Sequence, residues 1–268
     1  MEIRRMRLGA NSVAAIDLET LPDGTKRIVK SSENAFVLEA EATMLDHLSP
    51  HLRVPRVLEH APGRLVMEYI PSDNACNGNC EEEIADALAH LHGITAAGVF
   101  GFGSDTTIGP FRQRNRPRIR WVDFYREMRV LDFAARAFDE GRIDKALLGR
   151  IEKLAANFEQ FLTEPEHSSL LHGDVWSGNV LTFENRLAAF IDPACYYGHF
   201  EMELAFIGMF NTFGERFYAR YREHRRIDAE FFAVRADLYR LFPYLVHVRA
   251  FGGGYLGGLE SILRRAGY

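Results

Sequence analysis

The chain is short of several things, and each shortage excludes a class of protein. It has 3 cysteines in 268 residues, too few for a disulfide framework, so a reducing cytoplasm is the expected compartment. No uninterrupted apolar run approaches the roughly 18 residues that a membrane span needs. Residues 1–7 carry positive charge but lead into no long apolar stretch, so neither a signal peptide nor a transit peptide is expected. A net charge of −5 leaves no basic excess for a nucleic-acid surface. There is no internal repeat and no low-complexity segment. What remains is an ordinary globular composition, 47% apolar and 26% charged, in a length that fits one large or two modest domains.

The first part of the chain reads as strands with one helix. Residues 13–18 and 27–29 are strand-like and are joined across Pro22-Asp23-Gly24, a strong turn signal. Residues 35–48 have helical periodicity and stop before Pro50, and residues 64–70 form a buried-strand pattern. After Pro71 the character changes. Residues 81–92, 121–140, 144–162, 201–213 and 229–255 all read as helical. The expected fold class is α+β and bilobal: a small antiparallel-sheet lobe with one helix over residues 1–70, and a larger, mainly helical lobe over 71–268.

The most informative segment lies inside the helical part: HGDVWSGNVLTFENRLAAFIDP, residues 172–193. Asp174 and Asn179 share one irregular loop. Two short apolar runs follow, 180–183 and 187–191, separated by the turn triplet Glu184-Asn185-Arg186. Strands of a hairpin lie about 5 Å apart. Asn179 at the entrance and Asp192 at the exit should therefore face one small space. An amide oxygen and a carboxylate suit magnesium that also holds phosphate oxygens. Asp174 is left as a base beside that metal, which is the layout of a phosphoryl-transfer site.

Other candidates are weaker taken singly. Lys30 ends the second strand and alone reads as a solvated charge. On the following helix Val37, Met44 and Leu48 form an apolar stripe with Glu41 in its middle. A carboxylate there should be paired, and Lys30 is the expected partner. Glu39 competes but falls on the opposite side. The segment Leu8-Gly9-Ala10-Asn11-Ser12 is a glycine-poor candidate for the phosphate loop, with Ser12 as a hydroxyl donor; Gly9 alone is more often just a turn residue. Backbone groups of Glu68 and Ile70 could meet an adenine edge, or the stretch could be an extended linker. Trp176 is best explained as a flat platform for a bound substrate. Tyr197 and His199, like Tyr196, could line the pocket or the core. Glu201 and Glu203 open a helix, where negative charge suits the dipole; Glu203 could instead meet a cationic amine. Cys76 and Cys80 lack the further ligands that a zinc site requires. His90 and His92 read as structural, and Phe251-Gly252-Gly253-Gly254-Tyr255 as a helix break.

LLHGDVWSGN at 170–179, FIDPACYYGHFEMELA at 190–205 and YRLFPYLVHVRAFGGGY at 239–255 resemble the signature blocks of the fructosamine kinases, or ketosamine-3-kinases. That family lies within the protein-kinase-like superfamily, with the aminoglycoside phosphotransferases. Phe100, Gly101, Gln113, Asn115, Trp121, Phe124 and Tyr125 follow the same pattern, so the likeness spans nearly the whole chain. The resemblance implies Asp174 as catalytic base, Asn179 and Asp192 as Mg2+ ligands, and Lys30 with Glu41 on the ATP phosphates. It implies as acceptor the C3 hydroxyl of a small ketosamine or a glycated protein. The product would be unstable and would release the free amine, a repair function. Some members carry a redox-active cysteine in the nucleotide loop; residues 9–12 have none, so disulfide-linked dimers are not expected and a monomer is. The rival acceptors on the same fold are aminoglycosides, choline and sugars. An aminoglycoside pocket should add carboxylates in the helical lobe.

Overall fold

Asp23 accepts a hydrogen bond from Thr25 N at 2.8 Å, and Gly24 turns the chain at φ 89°. This turn joins β2 (Ala15–Thr20) to β3 (Lys26–Ser31) as an antiparallel pair. The computed structural model describes residues 3–10 and 13–268. Strands β1 (Arg4–Ala10), β4 (Val57–Ala61) and β5 (Arg64–Glu68) complete a 5-stranded sheet in the order β1-β2-β3-β5-β4. The expected loop at Leu8–Ala10 is instead the end of β1, with the register slipping between Arg7 and Gly9. Its sequence hides this because residues 4–9 are exposed on both faces of the strand, so no buried face marks it. Ser12 lies outside the described residues.

Helix α1 (Ala35–Leu48) packs against β4 and β5, and its stripe of Val37, Glu41, Met44 and Leu48 is buried. The second lobe is mainly helical. Its longer helices are α2 (Gly78–His92), the broken run α3 (Trp121–Phe124), π turn (Tyr125–Leu131) and α4 (Asp132–Asp139), then α5 (Lys145–Ala155), α6 (Phe200–Met209), α7 (Glu215–His224), α8 (Ala236–Phe251) and α9 (Leu256–Arg265). α2 packs on α7, and α8 packs on α4, α6 and α9. Trp121 is fully buried, with its indole N–H donating to Tyr239 Oη at 3.0 Å. Pro243 lies inside α8 and cannot donate to the carbonyl of Tyr239. Tyr125 Oη takes up that carbonyl at 3.1 Å and Leu238 O at 2.7 Å.

Short ribbons set the site into this lobe: β6 (Thr106–Ile108) with β7 (Phe111–Gln113), β8 (Ser169–Leu171) with β11 (Tyr196–Gly198), and β9 (Val180–Phe183) with β10 (Arg186–Phe190). The crossing between lobes is tied to the last of these. Thr182 O accepts from Ser72 Oγ, Asp73 N and Asn74 N at 2.9, 3.0 and 3.2 Å. Asp73 Oδ2 accepts from Glu184 N at 3.0 Å.

Candidate active site

The hairpin that delivers the site closes through Glu184 and Asn185 at φ 51° and 59°. Two successive left-handed residues form the tight turn that matches strand twist. Val180 pairs with Phe190, and Ile191 N donates to Asn179 O at 2.9 Å, so the two ends of the ribbon lie side by side. Asp192 follows at φ 54°, a left-handed conformation that aspartate tolerates better than most residues.

Ahead of the hairpin, Gly173 has φ 87°, and a Cβ there would sit 2.2 Å from Ala194 O. No other residue fits, and this close approach sets Asp174 at the cavity. Asn179 Nδ2 donates to Asp174 O and to Asp174 Oδ2, both at 2.9 Å. Burial, reinforced by the charge of Asp192, pushes the Asp174 carboxyl up to about 7, despite the bond from Asn179.

Lys30 crosses from the sheet to this loop. Its ammonium donates to Glu41 Oε1 at 2.6 Å and to Asp192 Oδ1 at 2.5 Å. Burial alone would lower the Lys30 ammonium, but the charges of Asp192 and Glu41 outweigh it and hold it above its ordinary value. Glu39 is exposed on the far side of α1.

The donor chemistry fits a hard cation. Asn179 spends its amide N–H groups on Asp174, which leaves its carbonyl oxygen, and Asp192 keeps one oxygen beyond the Lys30 bond. Among the described residues, no group of three or more His, Cys, Asp or Glu could hold a metal. One amide and one carboxylate suit a magnesium ion that fills its shell with water and phosphate oxygens.

One cavity of about 430 Å³ collects these groups: Lys30, Glu41, Asp174, Asn179 and Asp192 all line it. Trp176 lines it too, 42% exposed, its ring packed over Gly178, where a Cβ would come within 2.4 Å of the indole. The opposite wall comes from helices that sequence reasoning did not connect with the site. Phe206 and Phe210 come from the end of α6, while Pro243, Val246, His247 and Phe251 come from α8. Each reads as an ordinary core residue in sequence, and only the 239–255 block offered a signal.

Three substrate candidates lie elsewhere. Glu203 is 2% exposed and accepts from His92 Nε2 at 2.9 Å, His172 N at 3.2 Å and Gly173 N at 2.5 Å. Burial would raise its carboxyl, but the bond from His92, the neighbouring charges and the Gly173 N–H hold it below the usual range. It buttresses the HGD loop from behind and has no face for a substrate amine. His199 is buried, and its Nδ1 accepts from Glu201 N at 3.1 Å as the N-cap of α6. Tyr197, on β11, meets His47 Nε2 through its hydroxyl at 3.1 Å. Neither His199 nor Tyr197 lines the cavity that holds Lys30 and Asp174. The alternation of β11 and the cap of α6 turn them toward packing partners. At the lobe seam, Glu68 N donates to Arg56 O at 2.9 Å. The Glu68 carboxylate binds Arg53 at 2.9 and 3.1 Å, which holds it down at about 2. Ile70 is buried just beyond β5.

A sheet lobe and a helical lobe, with a lysine–glutamate pair facing an HGD loop and an Asn/Asp hairpin, define a kinase-like phosphotransferase. The chain belongs to the fructosamine kinase family, whose model matches residues 22–266. It is 35% identical over 241 residues to a chloroplastic protein-ribulosamine 3-kinase of Arabidopsis thaliana, covering 85% of this chain and 71% of that one. A Thermobifida fusca crystal structure assigned as a fructosamine-3-kinase superposes with TM-score 0.88 at 31% identity, over 99% of this chain and 93% of the other. An aminoglycoside phosphotransferase in ternary complex with AMP-PNP and hygromycin B superposes with TM-score 0.71 at 17% identity, over 99% of this chain and 95% of that one, and shares the fold.

Proposed function

We propose that the protein is an ATP-dependent ketosamine kinase. It transfers the γ-phosphoryl group to the C3 hydroxyl of a ribulosamine or fructosamine adduct, on a small amine or on a protein. The phosphorylated product releases the free amine, which makes the reaction one of deglycation. The relative named protein-ribulosamine 3-kinase and the family match support this acceptor.

In this reading Asp174 takes the proton of the attacking hydroxyl. Its carboxyl, raised to about 7, is a base matched to neutral pH. Asn179 and Asp192 hold Mg2+, which when bound offsets charge on the phosphate oxygens. Lys30, steadied by Glu41, contacts the phosphates, and Ser12 adds a hydroxyl. The Glu68 carbonyl and Ile70 hold the adenine edge, with the lobe boundary at 70/71. Trp176 provides the flat wall for the sugar.

The carrying observation is the asymmetry of the cavity. Its carboxylates, Glu41, Asp174 and Asp192, all sit at the transfer end, and the α6–α8 wall adds none. A polyamine such as an aminoglycoside would find no counter-charges there, whereas a sugar bearing one amine needs few. The test is a phosphate-transfer assay with ribulose-lysine, fructose-lysine, kanamycin and choline under the same ATP and magnesium. Transfer to the two lysine adducts is expected. Transfer to kanamycin or choline, with none to the adducts, would replace this acceptor by another on the same fold.

A further inference from the structure

The acceptor wall ends in an aromatic cluster centred on His247. Its ring centroid lies 5.2 Å from Phe210, 5.5 Å from Phe251 and 4.9 Å from Tyr255, and all four side chains line the cavity. His247 Nδ1 lies 2.7 Å from Pro243 O. A carbonyl can only accept, so Nδ1 carries the hydrogen and the neutral ring presents Nε2 as a lone-pair acceptor. Burial holds the imidazole below its ordinary value, outweighing the bond to Pro243, so the neutral form prevails. Among the described residues Nε2 has no hydrogen-bond partner, and the half-buried ring borders the cavity. No carboxylate stands on this wall.

One acceptor ringed by aromatic faces suits a single cationic N–H donor. The lone pair takes the hydrogen bond, and the rings attract the charge. A ketosamine carries such a donor on C1, two carbons from the C3 that bears the phosphorylated hydroxyl. We propose that His247 Nε2 accepts a hydrogen bond from the secondary ammonium of the ketosamine, with Phe210, Phe251 and Tyr255 around the first carbons of its substituent. This assignment rests on the ketosamine reading of the site. It gives the 239–255 block a substrate-recognition role. It also makes His247 the residue that separates ketosamines from plain ketoses.

The experiment compares kcat/KM for the fructosamine of a simple alkylamine with that for its ether analogue, in which oxygen replaces the amine. Wild-type protein is expected to prefer the amine by about 10- to 100-fold, the size of a charge-assisted hydrogen bond. His247→Phe keeps the aromatic bulk, removes the acceptor and should erase most of that preference. His247→Gln restores an acceptor oxygen and should recover part of it. Equal wild-type rates on amine and ether overturn the assignment, and this measurement needs no variant to fold. A preference that survives in His247→Phe, or an equal loss on both substrates, also overturns it. If wild-type protein phosphorylates no ketosamine, the proposed function falls together with this inference. If it does and the preference is independent of residue 247, only the His247 role falls.

Discussion

At the scale of single residues, environment decides what a carboxylate does. Asp174 borders the cavity and Glu203 is buried behind it, and their carboxyls are driven in opposite directions. Asp174 has burial and a neighbouring negative charge against it, whereas Glu203 has donors on both oxygens. Asp174→Asn should preserve the fold and lower kcat by roughly 10²–10⁴, the usual size of general-base catalysis. Near-normal turnover would remove Asp174 from the mechanism. The acid limb of the wild-type pH–rate profile should reflect the same group. Transfer needs the ionised form, so kcat/KM rises as pH climbs through the Asp174 midpoint, about 7 in the ligand-free protein. A cation on Asp192 removes part of the repulsion, so the limb should move to lower pH as magnesium increases; a limb that stays put counts against the pairing. Glu203→Ala strands two backbone N–H groups and a histidine, and should cost about 3 kcal/mol in urea unfolding. If Glu203 instead met the substrate, KM for the acceptor would rise with stability unchanged.

At the scale of elements, strong local patterns were legible and weak ones were not. The helix expected over 35–48 is α1, with the same limits, and the hairpin expected over 180–191 is β9–β10. In both, apolar spacing and turn chemistry agree with the tertiary demand. β1 escaped notice because an exposed edge strand needs no clean alternation. α7 escaped because ERFYARYREH buries only Phe217 and Tyr221. α9 carries Gly257 and Gly258 near its start, which lowers its intrinsic helix preference. The helix expected over 144–162 stops at Ala155, and that over 201–213 stops at Met209. The hairpin turn offers a test. Asn185→Val puts a β-branched residue at φ 59° and should cost about 1–2 kcal/mol. It should also weaken Mg–ATP binding by loosening the alignment of Asn179 with Asp192. Unchanged stability in denaturant titration would mean the turn does not hold the ribbon.

At the scale of the whole molecule, burial pushes the imidazoles of His172, His199 and His247 below their ordinary value. His199 is driven down to about 3 by burial and by the charges of Arg235 and Arg225. Between that value and the ordinary 6.5, only the unfolded chain takes up the proton. Stability from this group is therefore complete above 6.5 and is lost as pH falls toward 3, by up to about 1.4 kcal/mol per pH unit. His199→Asn keeps an acceptor for the α6 cap and removes the titration. Its unfolding free energy should fall less steeply than the wild type's between pH 6 and pH 4, whatever its absolute value. Parallel slopes would show that His199 is not the acid-sensitive group.

The sequence alone determined the bilobal α+β class, the HGD loop, the hairpin with its terminal amide and acid, and the lysine–glutamate pairing. Each of these is written in residues close together or at a regular period, so local spacing is enough to specify it. The tertiary structure decided which way the neighbouring polar side chains face. It drew Glu203, His199 and Tyr197 into packing and brought Phe206, Phe210, His247 and Phe251 to the acceptor wall. Helices far apart in the chain meet there, and no local period encodes which of their faces will look into a shared cavity.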